Sequence, residues 1–130
     1  MHAQSTLDGP FAAQVMRVVD GDTLQVRVRI WLDQDVVVLA RLRGIDAPEL
    51  HGACAAAGAA ARDALAGLVG DGAVTLRHVA ADKYGGRVDA EVTLPDGRDA
   101  ARTLVQTGFA HPWTGRGKRP GCGPVMPSGR

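Results

Sequence analysis

Residues 24–30 have the sequence Leu-Gln-Val-Arg-Val-Arg-Ile, an unbroken alternation of apolar and polar side chains. Successive side chains of a β-strand point to opposite faces of a sheet, so this period of two predicts a strand with one buried face. The apolar face consists of Leu24, Val26, Val28 and Ile30, and the polar face of Gln25, Arg27 and Arg29.

Two further strands are predicted, one on each side of this stretch. Residues 11–19 and 36–43 are both rich in valine, a residue that favours strands. Aspartate-containing turn signals at residues 20–23 and 33–35 separate the three runs. The order strand, turn, strand, turn, strand predicts a meander.

The rest of the chain adds helices and two more strands. Residues 53–69 are alanine-rich with apolar side chains at helical spacing, and residues 99–107 predict a short helix with an aspartate N-cap. Strands are predicted at residues 74–79 and 87–94. This order predicts a mainly β fold of the α+β class, a five-stranded OB-fold barrel with two to three helices. Periodicity alone leaves a mixed α+β sheet as the alternative.

The composition fits one small globular domain. The chain has 130 residues, of which 45% are hydrophobic and 22% charged. Its 15 Lys and Arg against 14 Asp and Glu give a formal net charge of +1, which excludes a polycation but not a local phosphate site. Because only 4% of the residues are aromatic, an extended base-stacking surface is not expected.

We divide the chain into three parts: a flexible N-terminal segment (residues 1–10), a folded domain (residues 11–112) and an irregular tail (residues 113–130). No apolar run approaches the roughly 20 residues that a membrane-spanning helix needs, so we expect no membrane partner. The first residues do not combine a basic segment with a following apolar one, so no signal peptide is expected in this sequence.

The two cysteines, Cys54 and Cys122, admit two interpretations. They are either unrelated thiols or the ends of one disulfide that ties the tail to the middle of the chain. A disulfide would indicate an oxidising compartment. Without a CxxC pair or neighbouring paired histidines, the two cysteines do not indicate a zinc site.

Three polar clusters contain residues suited to catalysis, and the first is Asp20-Gly21-Asp22-Thr23. Two carboxylates around a glycine are typical of an ordinary hairpin turn. Close carboxylates also repel each other, and a hard divalent cation such as Ca²⁺ relieves that repulsion. The cluster is therefore either a turn or part of a metal site.

The second cluster leads from Arg41 into a loop that carries Asp46 and Glu49. A surface salt-bridge patch of little energetic value is one interpretation. The functional interpretation is a guanidinium that clamps phosphate oxygens, an aspartate for a metal and a glutamate that handles a proton.

The third cluster, residues 82–87, has the sequence Asp-Lys-Tyr-Gly-Gly-Arg. It is either a polar hairpin loop or a mobile loop that presents Lys83, Tyr84 and Arg87 to an anionic substrate. Together the three clusters contain a metal site, two arginines and a candidate base. Those are the parts needed for metal-assisted hydrolysis of a phosphodiester.

The order of these motifs resembles the staphylococcal nuclease (thermonuclease) family, over residues 15–110. The matching segments are VVDGDT at residues 18–23, RLRGIDAPE at 41–49, DKYGGR at 82–87 and LVQTGFA at 104–110. The resemblance implies an OB-fold barrel, Ca²⁺ as cofactor, and cleavage of DNA and RNA to 3′-phosphate products.

The resemblance also implies a role for each matching residue. Arg41 precedes Asp46 by five residues and Glu49 follows it by three, which is the spacing of the family motif. The implied roles are Asp22, Asp46 and the Ala47 carbonyl as calcium ligands, Asp20 as a second-sphere carboxylate, Arg41 and Arg87 as catalytic arginines, Glu49 as general base, and Lys83 and Tyr84 as contacts to nucleotide phosphates.

The chain departs from the family pattern in three places. Ala47 stands where the best-known member has a threonine, and Gly86 is an extra residue before Arg87. A tail with Cys122 replaces a long charged C-terminal helix. Because secretion is common among bacterial members, the resemblance favours a disulfide between Cys54 and Cys122 and a secreted or periplasmic location.

We therefore expect a Ca²⁺-dependent phosphodiesterase that hydrolyses DNA and RNA as an endo- or exonuclease with little base specificity. Single strands are the favoured substrate, and the enzyme is expected to be a monomer. The alternative is an OB-fold module that binds nucleic acid or protein without catalysis. The presence of Glu49 together with the metal and arginine candidates favours the enzyme, because a binding module has no use for a proton acceptor beside a metal.

Overall fold

The computed structural model describes residues 6–82 and 85–122. A 3-10 turn, Gly52–Cys54, leads into the first helix. Neither of the two helices in the described ranges is long and apolar enough to cross a membrane. The elements in chain order are β1 (Thr6–Leu7), β2 (Phe11–Asp20), β3 (Thr23–Trp31), β4 (Gln34–Leu42), β5 (Ile45–Asp46), α1 (Ala55–Val69), β6 (Ala73–Ala81), β7 (Arg87–Thr93), α2 (Ala100–Gln106) and β8 (His111–Pro112).

The five long strands close into a barrel. Strands β2, β3 and β4 pair antiparallel in chain order, which is the predicted meander. Strand β6 pairs antiparallel with β2 and β7, and β7 returns to β4 in parallel, so the sheet closes on itself. A closed, mixed five-stranded barrel with two helices is consistent with the OB fold, so the predicted fold class is confirmed and the open mixed sheet is excluded.

Aliphatic side chains fill the barrel. The predicted apolar face of β3 is buried from Leu24 to Val28, whereas Ile30 at its end is 47% exposed. A register shift between Arg29 and Trp31 interrupts the pairing near the hairpin tip, where the neighbouring side chains are exposed as well. The apolar alternation therefore predicts burial correctly only for the first two-thirds of this strand.

Both predicted helices are confirmed. The 3-10 turn replaces the predicted first residues of α1, and the helix buries Ala61, Leu65 and Val69 against the barrel. At the start of α2, a carboxylate oxygen of Asp99 accepts a hydrogen bond from the backbone N–H of Arg102, as expected for an N-cap.

Three short strands, β1, β5 and β8, are not predicted from the sequence. Strand β1 pairs antiparallel with β6, so Thr6 and Leu7 join the sheet within a segment that is expected to be flexible. Strands β5 and β8 form a separate ladder in which Asp46 lies opposite His111. Residues 113–122, the described part of the tail, contain no helix or strand. The β5–β8 ladder brings this tail back to the point where the chain leaves β4.

Candidate functional site

A cleft of about 510 Å³ opens where the β2–β3 turn, the segment after β4, the start of β7 and the tail meet. It brings together residues from all three predicted clusters. The predicted residues that line it are Asp20, Asp22, Arg41, Asp46, Ala47, Glu49 and Arg87. Lys83 and Tyr84, the predicted phosphate contacts, lie outside the described residues.

The turn between β2 and β3 fixes the first two carboxylates. Asp20 Oδ1 accepts a hydrogen bond from the backbone N–H of Asp22 at 3.1 Å. Asp22 is only 6% exposed, and its two oxygens accept hydrogen bonds from the Thr23 hydroxyl and the Ala47 backbone N–H, each at 3.0 Å. The Asp22 carboxylate is therefore oriented by both the turn and the loop that follows β5.

Two glycines allow helix α1 to pack closely against the β2–β3 turn and the loop after β5. A side chain on Gly21 would meet Cβ of Ala61 at 2.5 Å and Cβ of Ala47 at 2.8 Å. A side chain on Gly58 would lie 2.1 Å from the backbone carbonyl oxygen of Glu49. Both glycines are needed for the close approach of helix, turn and loop that carries the carboxylates.

Arg41, near the end of β4, lies between two buried aspartates. Its Nη2 donates to the Ile45 carbonyl at 3.0 Å. The same nitrogen is 3.8 Å from Asp22 Oδ2 and 3.6 Å from Asp46 Oδ1. The Asp46 side chain is only 4% exposed, so one guanidinium stands between two carboxylates that are shielded from water.

Arg87 reaches the cleft in spite of the extra glycine before it. Gly86 has a φ of +77°, and its carbonyl accepts a hydrogen bond from the Leu39 N–H at 3.1 Å, which anchors the start of β7 to β4. Arg87 donates from Nε and Nη2 to the two carboxylate oxygens of Asp82 at 3.0 and 3.2 Å. Glycine readily adopts this left-handed conformation, and Arg87 lines the cleft with Gly86 before it.

Asp89 is a cleft residue that the sequence analysis did not single out. It lies opposite Arg41 in the parallel β4–β7 register. Its Oδ1 is buried and has no hydrogen-bond partner within the described ranges, and burial together with the neighbouring Asp82 raises the pKa of Asp89. The alternation of residues 87–90 was the available signal, because it puts Asp89 on the same face as Arg87.

The tail forms another wall of the cleft. The backbone N–H of Trp113 donates to the Gly44 carbonyl at 2.8 Å. The centre of its indole ring lies 5.5 Å from the guanidinium carbon of Arg41, within cation–π range. Further along, Cys122 is joined to Cys54 by a disulfide. The tail is therefore held at both ends of residues 113–122.

Arg119, between these two attachment points, also lies in the site. Its Nη2 donates to Asp46 Oδ1 at 2.7 Å, and its Nη1 donates to Glu49 Oε1. These bonds, first to Asp46 and then to Glu49, raise the pKa of Arg119 above its ordinary value. No sequence pattern predicts the contact, because it depends on the path of an irregular tail.

The electrostatics favour a bound cation. Burial, and then the neighbouring Asp20 carboxylate, raise the pKa of Asp22 from 3.8 to about 6, against the lowering effect of the Ala47 N–H and Arg41. The charged form of Asp22 is thus destabilised in the folded protein, and an added positive charge would relieve this cost.

The donor set fits a hard cation such as Ca²⁺. Within residues 6–82 and 85–122, no three His, Cys, Asp or Glu side chains group as a metal site. The cleft offers two buried carboxylates, Asp22 and Asp46, beside the backbone of Ala47. Calcium accepts about six to eight oxygen ligands, including backbone carbonyls and water, whereas structural zinc prefers thiolate and imidazole. Two carboxylates therefore suit calcium but do not suit a structural zinc ion.

The family comparison points to the same region. A model of the family described as staphylococcal nuclease homologue matches residues 39–120, which include Arg41, Asp46, Glu49 and Arg87. A comparison with curated proteins finds no match. Because the family model spans more than half of the chain and the barrel is closed, the chain belongs to the staphylococcal nuclease homologue family.

Proposed function

We propose that this protein is a calcium-dependent phosphodiesterase that hydrolyses DNA and RNA to 3′-phosphate products. The observation that carries the proposal is one cleft that combines two buried aspartates, two arginines and a half-exposed glutamate, drawn from three separate motifs. Such a set provides cation binding, phosphate binding and proton transfer in one place.

Asp22, Asp46 and the backbone carbonyl of Ala47 would hold the calcium ion, with Asp20 as a second-sphere carboxylate. When bound, the ion supplies Lewis-acid polarisation of a phosphate oxygen and part of the positive charge that the transition state needs. The raised pKa of Asp22 supports this assignment, because a buried carboxylate is destabilised as an anion until a cation joins it.

Glu49 would accept a proton from an attacking water or orient that water. Its side chain is 57% exposed, so it is open to solvent, while its backbone is held against α1. Such access would let the carboxylate come within hydrogen-bond distance of a water molecule, as a general base must.

Arg41 and Arg87 would bind the phosphate oxygens as negative charge increases on them. Arg41 uses one Nη2–H for the Ile45 carbonyl, and Arg87 faces the same space from the start of β7. An arginine is a poor proton donor, so both act by stabilising charge. Lys83 and Tyr84 remain proposed contacts to neighbouring phosphates.

Substrate and location follow from the same features. The cleft lining is mainly charged, which suits recognition of the phosphate backbone and predicts little base specificity. We propose single strands as the favoured substrate, in endo or exo mode, and a monomer as the active form. The disulfide between Cys54 and Cys122 supports a secreted or periplasmic location, because disulfides persist in oxidising compartments.

The test is cleavage of single-stranded DNA and RNA with Ca²⁺ or with a chelator, followed by analysis of the product ends. We expect calcium-dependent cleavage that leaves 3′-phosphates. Glu49→Gln should reduce kcat by at least about 10²-fold with near-normal binding, since general base catalysis contributes roughly 10²–10⁴-fold. Glu91→Gln is the matched control, because Glu91 pairs with His78 and does not line the cleft.

Oligonucleotide binding without cleavage under either condition would support the binding module instead. Full activity of Glu49→Gln would remove the glutamate from the mechanism but would leave the metal site in place.

A further inference from the structure

Arg119 occupies the carboxylates that the proposed function assigns to the metal and to the base. Its guanidinium spans Asp46 and Glu49 at once. Nη2 and Nε donate to Asp46 Oδ1 at 2.7 and 3.2 Å, and Nε is also 3.3 Å from Oδ2, so both oxygens of Asp46 face this one side chain. Nη1 donates to Glu49. Four hydrogen bonds therefore join one guanidinium to two carboxylates, which is more than a single surface ion pair.

The contact is tethered by the disulfide. Cys122 is three residues beyond Arg119, and its partner Cys54 lies just before α1, the helix that packs under the Glu49 loop. Three residues span at most about 10 Å when fully extended. With Cys122 fixed, Arg119 has little freedom to leave the neighbourhood of the cleft.

A cation and Arg119 would compete for the same atoms. Both oxygens of Asp46 accept hydrogen bonds from Arg119, and a calcium ion held by this carboxylate would need at least one of the same oxygens. Because the Asp46 side chain is only 4% exposed, access to its oxygens from other directions is restricted. Arg119 is 47% exposed, so its guanidinium has a way into water without displacing the barrel.

We infer that Arg119 is a further functional residue of this site, a tethered cation that competes with the divalent metal for Asp46 and sets the affinity with which the metal binds. This inference rests on the proposed function, because it takes Asp46 as a metal ligand. The tether maintains a high local concentration of the competing guanidinium. Filling of the site would then require more calcium than the carboxylates alone would need.

The direct test is the calcium affinity of the full chain with its disulfide intact, measured by titration calorimetry. Arg119→Gln should bind Ca²⁺ roughly tenfold more tightly than the wild type, because the charge-assisted contacts between Arg119 and Asp46 no longer have to be broken. Arg119→Lys keeps the charge but not the planar set of donors that contacts both Asp46 and Glu49, so its calcium affinity should lie between those of the wild type and Arg119→Gln. Because Arg119 is half exposed, the glutamine variant is expected to fold normally.

Arg116→Gln is the matched control. Arg116 lies in the same tail and carries the same charge, but it is exposed and does not line the cleft. Its calcium affinity should equal that of the wild type. If Arg116→Gln and Arg119→Gln gain equally in calcium affinity, the gain comes from the lower net charge of the tail and the inference is overturned. Unchanged or weaker calcium binding in Arg119→Gln would overturn it as well.

The role of the tether is tested by a double-mutant cycle. Replacement of both cysteines by serine (Cys54→Ser with Cys122→Ser) should tighten calcium binding severalfold when Arg119 is present and not when it is Gln. The same change in both backgrounds would contradict a tethered competitor. If the serine variant does not fold, the calorimetry of the Arg119 variants alone decides.

The inference and the proposed function fail in different ways. If calcium binds to wild type and is lost in Asp46→Asn, but Arg119→Gln leaves the affinity unchanged, the metal site stands and the inference is wrong. If neither wild type nor any variant binds calcium, both are wrong.

Discussion

The barrel and the segments around it hold the two sides of the cleft in different ways. We call the side of the cleft that strand pairing fixes the barrel side: Thr23, next to Asp22, lies opposite Arg41 in the β3–β4 register, and Asp46 lies opposite His111 in the β5–β8 ladder. On the outer side, ion pairs orient the side chains of Arg87 and Arg119, and a disulfide holds the tail that carries Arg119. The carboxylates are therefore set by the fold, whereas two of the positive charges that face them depend on contacts that a ligand can exchange.

The two sides of the cleft therefore differ in what they can change when a ligand binds. On the barrel side, burial of Asp22 and the neighbouring Asp20 carboxylate raise the pKa of Asp22, so its charged form carries a cost in the folded chain. The outer arginines, Arg87 and Arg119, carry positive charge opposite the carboxylates. Their ion pairs can be exchanged when a phosphate or a cation binds.

The largest effect is expected from Asp46→Asn, on the barrel side. Removal of one metal carboxylate should lower cleavage by on the order of 10³-fold, about 4 kcal/mol, and weaken the response to calcium. Initial rates against Ca²⁺ concentration measure both. Asp96→Asn, at an exposed turn where Asp96 pairs only locally with Arg98, is the control and should retain full activity. Equal activity of the two variants would contradict the assignment of Asp46.

The barrel itself is tested by Leu42→Ala. Leu42 is fully buried next to Arg41, and the cavity should lower the free energy of unfolding by about 3 kcal/mol, within the 2–5 kcal/mol typical of such changes. Chemical denaturation gives the value. Leu32→Ala, at a side chain that is 80% exposed, should change it by less than about 0.5 kcal/mol. A small loss at Leu42 would mean that the barrel does not hold the site rigidly.

The burial of Asp22 beside the Asp20 carboxylate predicts a pH dependence for the metal-free protein. The pKa of Asp22 is about 6 in the fold against an ordinary value of 3.8. Between these values the folded state keeps a proton that the unfolded state has lost, so the free energy of unfolding falls as pH rises through this window. The ionised carboxylate then costs about 1–3 kcal/mol at neutral pH.

Denaturation in the presence of a chelator at pH 5 and pH 7.5 measures this loss. Asp22→Asn carries no titrating group there and should lose correspondingly less stability between the two pH values. An identical pH dependence in wild type and Asp22→Asn would show that Asp22 does not titrate in this range.

The smallest effect is expected on the outer side, from Trp113→Leu. The cation–π contact of Trp113 with Arg41 is worth about 0.5–1 kcal/mol at a partly exposed site, so kcat should fall about two- to fivefold with KM nearly unchanged. Trp31→Leu, the other tryptophan, is 68% exposed at the tip of the β3–β4 hairpin and serves as the control. A loss of activity in Trp113→Leu as large as that in Asp46→Asn would contradict the distinction between the two sides.

The sequence predicted the barrel side better than the outer side, for a physical reason. The alternation of residues 24–30 and the turn at Asp20 to Thr23 are local, so the meander and its carboxylates follow from neighbouring residues. The parallel pairing of β7 with β4 is not local, and Asp89 became a cleft residue only through it. The contact of Arg119 with Asp46 depends on the path of a tail without regular structure, and such a tail has no periodic sequence pattern that could predict it.

The parallel pairing of β4 with β7 also has a consequence for folding kinetics. Leu39 pairs with Arg87 and Leu42 with Ala90, so a long stretch of chain must close before this edge forms. Such closure is slow relative to the local β2–β3–β4 meander. Arg41 and Arg87 face one space only after this step. Recovery of the proposed nuclease activity after dilution from denaturant is therefore expected to follow barrel closure, and a chain with only the meander formed is expected to show none.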